Sequence, residues 1–298
     1  MLHASDWRRW LAAAGVAALS AALPAGCAGV EDVPIDPDAA GFAIHPAVTA
    51  HEGKPAASSD VEPMKRLAAN DHITLLERCV ERADEIANTY TCTLIKQERI
   101  GGRLRAEQVV SVWARRRPFS VAMHWEENPS QADRALYVEG KYNGHMLARP
   151  TNPLFRRFVP NGTAVVEPDG PEAMQHTLRP ITQFGFLRSL ESLLSAYRKG
   201  KASGRLEQGY GGLAEVDGRA ALVLLRRMPL TDGGPDSKTF TYIDVTRWIP
   251  LGTETYTFDD DGKLRLQHRY LYTDIEFDVG LSDSDFRPEA HDMADPDQ

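Results

Sequence analysis

Long apolar runs are missing from nearly all of this 298-residue chain. The one near the start, Trp10 to Leu23, is too short to span a bilayer comfortably and has no stop-transfer flank. It reads as a secretory signal rather than a permanent transmembrane helix. An excess of positive charge is missing too. The formal charge of -8 argues against non-specific nucleic-acid binding, which depends on neutralising phosphates with surplus Lys and Arg. Cysteine is scarce, and the spacing of Cys27, Cys79 and Cys92 excludes a CxxC redox pair or a recognisable zinc site. There is no GxSxG elbow, no HExxH, no Gly-rich phosphate loop and no kinase catalytic loop. The sequence therefore offers no catalytic residues, metal ligands or cofactor motif, and the expectation is a protein that is not an enzyme.

Arg8 and Arg9 precede the apolar run, and small residues surround Cys27 in ALPAGCAG. Ala25 and Gly26 suit a lipoprotein peptidase, whereas Pro24 stands where a Leu is expected and Leu23 is one place early. Ordinary cleavage near Ala25 or Ala28 is the rival. A single Cys at this boundary with a polar linker behind it favours acylation of Cys27. Residues 28–70 are rich in Pro, Ala, Asp and Ser and read as a disordered tether. The expected organisation is a lipoprotein-type signal at 1–27, that tether, a domain at 71–290 and a disordered acidic tail at 291–298. Such a protein is exported to the periplasm or cell envelope and held at the membrane through Cys27. The hydrophobic content of 42% is ample for one core.

In DHITLLERCVERADEIANTY, Ile73, Leu76, Val80, Ala83 and Ala87 recur on one face of an amphipathic helix. Short strand-like runs follow, with turn signals such as Gly101-Gly102 and Asn143-Gly144 between them. Phe119, Val121, Met123 and Trp125 alternate with Ser120, Ala122 and His124. Pro171 begins a helical stretch, and ITQFGFLRSLESLLSAYRKG sets Ile181, Phe184, Leu187, Leu190, Leu194 and Tyr197 on one helix face. The last third returns to strands. Neighbouring strands with short turns pair antiparallel. Roughly eleven of them predict an α+β fold, in which a few helices cover the concave face of a strongly curved, half-open antiparallel sheet.

His124 near Glu126 and Glu127 reads as a solvated polar face beside a turn, and Asp259-Asp260-Asp261-Gly262 as an acidic hairpin tip. Arg115 to Arg117, Arg156-Arg157 and Arg226-Arg227 read as charges at strand ends that discourage edge pairing, with contact to anionic headgroups as the functional alternative. Trp113, Trp125, Tyr256, Phe258, Tyr270 and Tyr272 alternate along strands. Fully covered, they are core; partly covered, they line an apolar cavity for an acyl chain. Both readings stand. Cys79 and Cys92 either pair in an oxidising compartment or sit as two small buried residues.

YTCTLIKQERIGGRLR, RRRPFSV, ALYVEGKYNG, PDGPEAM, PITQFG and DVTRWIPLGTETYTFDDDGKL resemble the bacterial family of domain of unknown function 1571, over about Asp71 to Pro288. The segment from Asp244 to Gly262 is also similar to a hairpin of LolA/LolB-like lipoprotein carriers. That resemblance implies a half-open sheet closed by helices around an apolar cavity. It also implies a lipid or lipid-modified protein as partner, and no functional residue carries over. The reading that follows is a non-enzymatic envelope protein binding a lipid or acylated partner. A closed scaffold binding another envelope protein, and an enzyme of unrecognised type, are the alternatives.

Overall fold

Strand β2 (Thr89–Ile100) turns Tyr90, Cys92, Leu94, Lys96 and Glu98 to one side of the sheet, all buried, while the residues between them are half-buried. That period of two sets the inner face for the rest of the chain. The computed structural model describes residues 45–50, 61–231, 234–258 and 262–296. The signal with Cys27 and the tip at Asp259 to Asp261 lie outside the described residues.

Along the chain, β1 (Val48–Ala50) comes before β2, and β3 (Arg103–Leu104), β4 (Gln108–Arg115) and β5 (Ser120–Glu127) come after it. Next come β6 (Ala132–Val138), β7 (Met146–Pro150) and β8 (Ala164–Val166). The last third supplies β9 (Glu207–Val216), β10 (Arg219–Pro229), β11 (Asp236–Asp244), β12 (Pro250–Phe258) and β13 (Leu264–Phe277). In space the order is β1-β9-β10-β11-β12-β13-β2-β4-β5-β6-β7-β8, with β3 paired to β2. Neighbours are antiparallel throughout. The two ends do not meet, so the sheet is open. Register shifts, as between Thr255 and Tyr256 or Thr273 and Glu276, are bulges that bend the strands. This is the expected α+β architecture. Strand β2 joins its halves: it pairs with β13 on one side and β4 on the other.

Three helices of more than one or two turns belong to the described chain: α1 (Val61–Asn70), α2 (His72–Ile86) and α3 (Phe186–Ala202). Asp71 caps α2 by accepting from the Thr74 N–H at 3.1 Å and the Thr74 hydroxyl at 2.7 Å. Leu75, Leu76, Cys79 and Ala83 of α2 are buried, as are Phe186, Leu190, Leu194 and Tyr197 of α3. Phe186 packs 4.7 Å from the Tyr90 ring and 5.1 Å from the Tyr272 ring, centroid to centroid, which lays α3 on the inner face. The helix starts later than its periodicity suggests. Gly185 has φ +116 and breaks it from the 3-10 turn Ile181–Gln183, so Ile181 and Phe184 are buried from a turn.

Two stretches read as disordered contain structure. Within 28–70, β1 pairs with β9 and α1 buries Val61, Met64, Lys65 and Ala68. Low apolar content hides such a helix, because one narrow stripe is enough to dock it. Within the acidic tail, His291 and Met293 are buried, and Phe286 and Met293 join a second apolar cluster on the outer face with Ala122, Leu136, Val138 and Leu147.

Candidate functional site

Inward parity on β4 to β8 brings Val110, Met123, Trp125, Ala135 and Ala148 together, because Val110 pairs with Trp125, Met123 with Ala135 and Ala135 with Ala148. With Tyr270, Tyr272 and Leu94 from the centre of the sheet they line a cavity of about 190 Å³. Its roof is the segment from Pro168 to Phe184, which contains only the helical turn Pro171–Met174 and the 3-10 turn Ile181–Gln183. The volume is somewhat more than the roughly 150 Å³ that holds one benzene, so a ring or a short acyl segment fits.

A polar cluster ties the roof to the sheet. Glu98 Oε1 accepts from the Tyr270 hydroxyl at 2.6 Å, the Leu178 N–H at 3.1 Å and the Thr177 hydroxyl at 3.2 Å. Its Oε2 accepts from Lys96 Nζ at 3.1 Å. Burial first, and Glu98 second, push the Tyr270 hydroxyl well above its ordinary pKa. Lys96 and Glu98 occupy the inward row of β2, the one place where alternation alone assigns an apolar residue. Two charges of opposite sign two residues apart on that row are the signal in the sequence that marks the site.

Three of the six aromatic candidates face the cavity. Trp125, Tyr270 and Tyr272 line the cavity. Trp113 does not: pairing with Ala122 sends it to the outer face, where its ring lies 4.7 Å from His124 and 5.7 Å from His291. The other two also lie away from the cavity. Tyr256 follows a bulge and donates to Glu254 Oε2 at 3.0 Å, beside the Arg269–Glu254 pair at 2.6 Å, and Phe258 lies under Arg227, 5.8 Å from its guanidinium. Face assignment from alternation holds within a strand but needs the register between strands, and bulges change it.

Glu126 and Glu127 are exposed, while His124 is half-buried on the outer face. Its Nε2 lies 2.8 Å from His291 Nδ1, while His291 Nε2 lies 2.8 Å from the Asp285 carbonyl. The carbonyl can only accept, so His291 donates there and accepts from His124. Burial, chiefly, holds the His124 pKa down to about 4. Cys79 and Cys92 are buried, free thiols, each pushed far above the ordinary thiol range by burial. They are packed small residues on α2 and β2 rather than a disulfide.

A second cavity, of about 210 Å³, lies between α3 and the inner face of β10 to β13. Arg179, Ser189, Tyr270 and Tyr272 line both cavities, so the two are neighbours. Beside the first, the loop after β7 leaves Leu154, Phe155 and Phe158 exposed, Phe158 at 84%, around Arg156 and Arg157, and Phe155 reaches the cavity lining. Among the described residues, no helix is long and apolar enough to cross a membrane.

The model of the family described as protein of unknown function (DUF1571) matches residues 87–294, and the chain belongs to that family. No curated protein matches it. Among solved structures it is similar to a DUF1329 family protein from Desulfovibrio piger, at 12% identity over 78% of this chain and 100% of that one, TM-score 0.36. A putative outer membrane lipoprotein-sorting protein domain from Vibrio parahaemolyticus matches at 12% identity over 72% and 97%, TM-score 0.35. A LolA superfamily protein from Nitrosomonas europaea matches at 11% identity over 72% and 98%, TM-score 0.22. At these scores the likenesses add nothing to the functional argument, which rests on the geometry of the site.

Proposed function

We propose that this DUF1571 family member is a non-enzymatic envelope protein that binds a lipid or the acyl chain of a lipid-modified partner in the apolar cavity under its sheet. The observation that carries this is the cavity of about 190 Å³ walled by Val110, Met123, Trp125, Ala135 and Ala148. Packed interiors leave few voids larger than a water, so an apolar space of this size under a roof of short turns is a binding feature. Each buried methylene contributes about 0.8 kcal/mol, which gives an eight-carbon segment several kcal/mol before ordering costs. A longer chain runs out through the mouth or lifts the roof.

The polar groups at the wall support binding over catalysis. Both oxygens of Glu98 accept from protein donors, three at Oε1 and one at Oε2, so the carboxylate serves to hold the roof to the sheet. Leu154, Phe155 and Phe158, with Arg156 and Arg157 among them, suit a contact with an anionic membrane surface through which the ligand enters. Acylation of Cys27 would keep that mouth near the bilayer.

Native mass spectrometry of the full chain, purified without detergent and incubated with envelope lipid extract, tests the reading. A complex heavier by one lipid or acyl species is expected. A ligand-free mass throughout would favour a scaffold with a closed core.

A further inference from the structure

We propose that the second cavity receives the anionic headgroup, a carboxylate or phosphate, of an amphiphile whose chain lies in the apolar cavity. This rests on the acyl-binding reading above and names the ligand class for it.

Arg226 points from β10 into this space under α3. Its Nη2 donates to the Thr239 hydroxyl at 3.2 Å, and its guanidinium lies 5.3 Å from the Tyr197 ring centroid. Its Nε and Nη1 are shielded from solvent with no hydrogen-bond partner. Buried donors are nearly always satisfied, and a buried cation ordinarily faces a carboxylate. Here none of the described residues lining the cavity is Asp or Glu, and the other charged residue in the lining is a second guanidinium, Arg179. Arg179 lies over the Tyr270 ring, 5.0 Å from its centroid, at the junction with the apolar cavity.

Beside Leu190, Leu193 and Leu230, the lining carries groups that can donate to an anion. The Thr239 and Thr255 hydroxyls lie 3.0 Å apart, and Thr241 and Ser192 face the same space. Burial, and then the two arginines, hold the His268 pKa down to about 3, so its imidazole is neutral at neutral pH and serves as a hydrogen-bonding group. An oxyanion presents several acceptors to the planar fork of a guanidinium and relieves the repulsion between the two arginines. Tyr270 and Tyr272 border both cavities, so a molecule with its head by Arg226 and its chain by Trp125 would cross from one to the other at these rings.

Calorimetric titration of the full chain with decanoate, decyl phosphate, decanol and inorganic phosphate, each below its aggregation limit, tests this. Decanoate or decyl phosphate should bind at least about tenfold more tightly than decanol. Arg226→Met should erase that preference and leave decanol unchanged, while Arg226→Lys should keep part of it. Equal affinity for the three ten-carbon compounds in the unaltered chain would overturn the headgroup assignment and leave the acyl reading standing. Binding of none of them would overturn both. Binding of inorganic phosphate through Arg226 without any chain-length dependence would assign the pocket to a free anion and overturn the amphiphile. The comparison of decanoate with decanol needs no variant, so it decides the matter even if Arg226→Met fails to fold.

Discussion

The Leu178 N–H donates to Glu98 Oε1 at 3.1 Å, joining the roof of the cavity to the centre of the sheet. The same carboxylate holds Lys96 and Tyr270, so one buried side chain fixes strand, roof and cavity wall together. Glu98→Ala leaves Lys96 buried without that partner, which costs about 3–5 kcal/mol. The expected outcome is a lower denaturation midpoint and early protease cleavage between Pro168 and Phe184, read by limited proteolysis with mass mapping. Cleavage elsewhere first would mean that Glu98 is not what holds the roof.

Filling the cavity separates binding from folding. Ala135 lies on β6 with its side chain in the lining. Ala135→Phe places a ring where the acyl segment would lie, at a stability change within about 3 kcal/mol. Lipid capture should be lost while the thermal transition stays cooperative. Undiminished capture by a folded Ala135→Phe protein would put the ligand elsewhere.

His72 makes the fold sensitive to acid. It is fully buried where α1, α2 and α3 meet, with Nε2 2.6 Å from the Ala68 carbonyl and Nδ1 3.1 Å from the Tyr197 hydroxyl. The carbonyl fixes the proton on Nε2, so Nδ1 accepts from Tyr197. Burial lowers the His72 pKa from 6.5 to about 4. Below pH 6.5 the unfolded chain takes up a proton that the folded one refuses, so stability falls as pH drops, with the loss complete near pH 4. For one such histidine that is about 3 kcal/mol. His124 and His268 add to it in the same direction. Urea denaturation between pH 7 and 4 should show this slope, and His72→Asn should flatten it.

Much of the fold was legible in residue order, and the site only in part. The β5 alternation of Val121, Met123 and Trp125 against Ala122 and His124 is enough to put Trp125 inside. Gly170-Pro171 before the roof turn is visible as punctuation, whereas the apolar periodicity runs through Gly185 and hides the break before α3. Trp113 and Tyr256 were not assignable, since their faces depend on which residue stands opposite and on a bulge at Thr255. The Lys96–Glu98 pair and Arg226 are charges on inward rows, and only tertiary partners reveal whether such a charge is paired.

The exposed loop gives a prediction about membranes. Phe158→Ser with Leu154→Ser removes apolar surface that is mostly exposed, so folding stability should change by less than about 0.5 kcal/mol. Association with vesicles containing anionic lipid, measured by flotation, should fall severalfold. Unchanged flotation would remove this loop from the route of ligand entry.

The central claim is that an acyl chain lies beneath the sheet, against Met123 and Trp125. Photocrosslinking the full chain with a fatty acid carrying a diazirine near its methyl end, then mapping the adducts, tests it most directly. The account predicts adducts concentrated on Met123, Trp125 and Met146, all in the cavity lining, and their loss in Ala135→Phe. Adducts confined to exposed residues such as Phe158, with none in the lining, would contradict it.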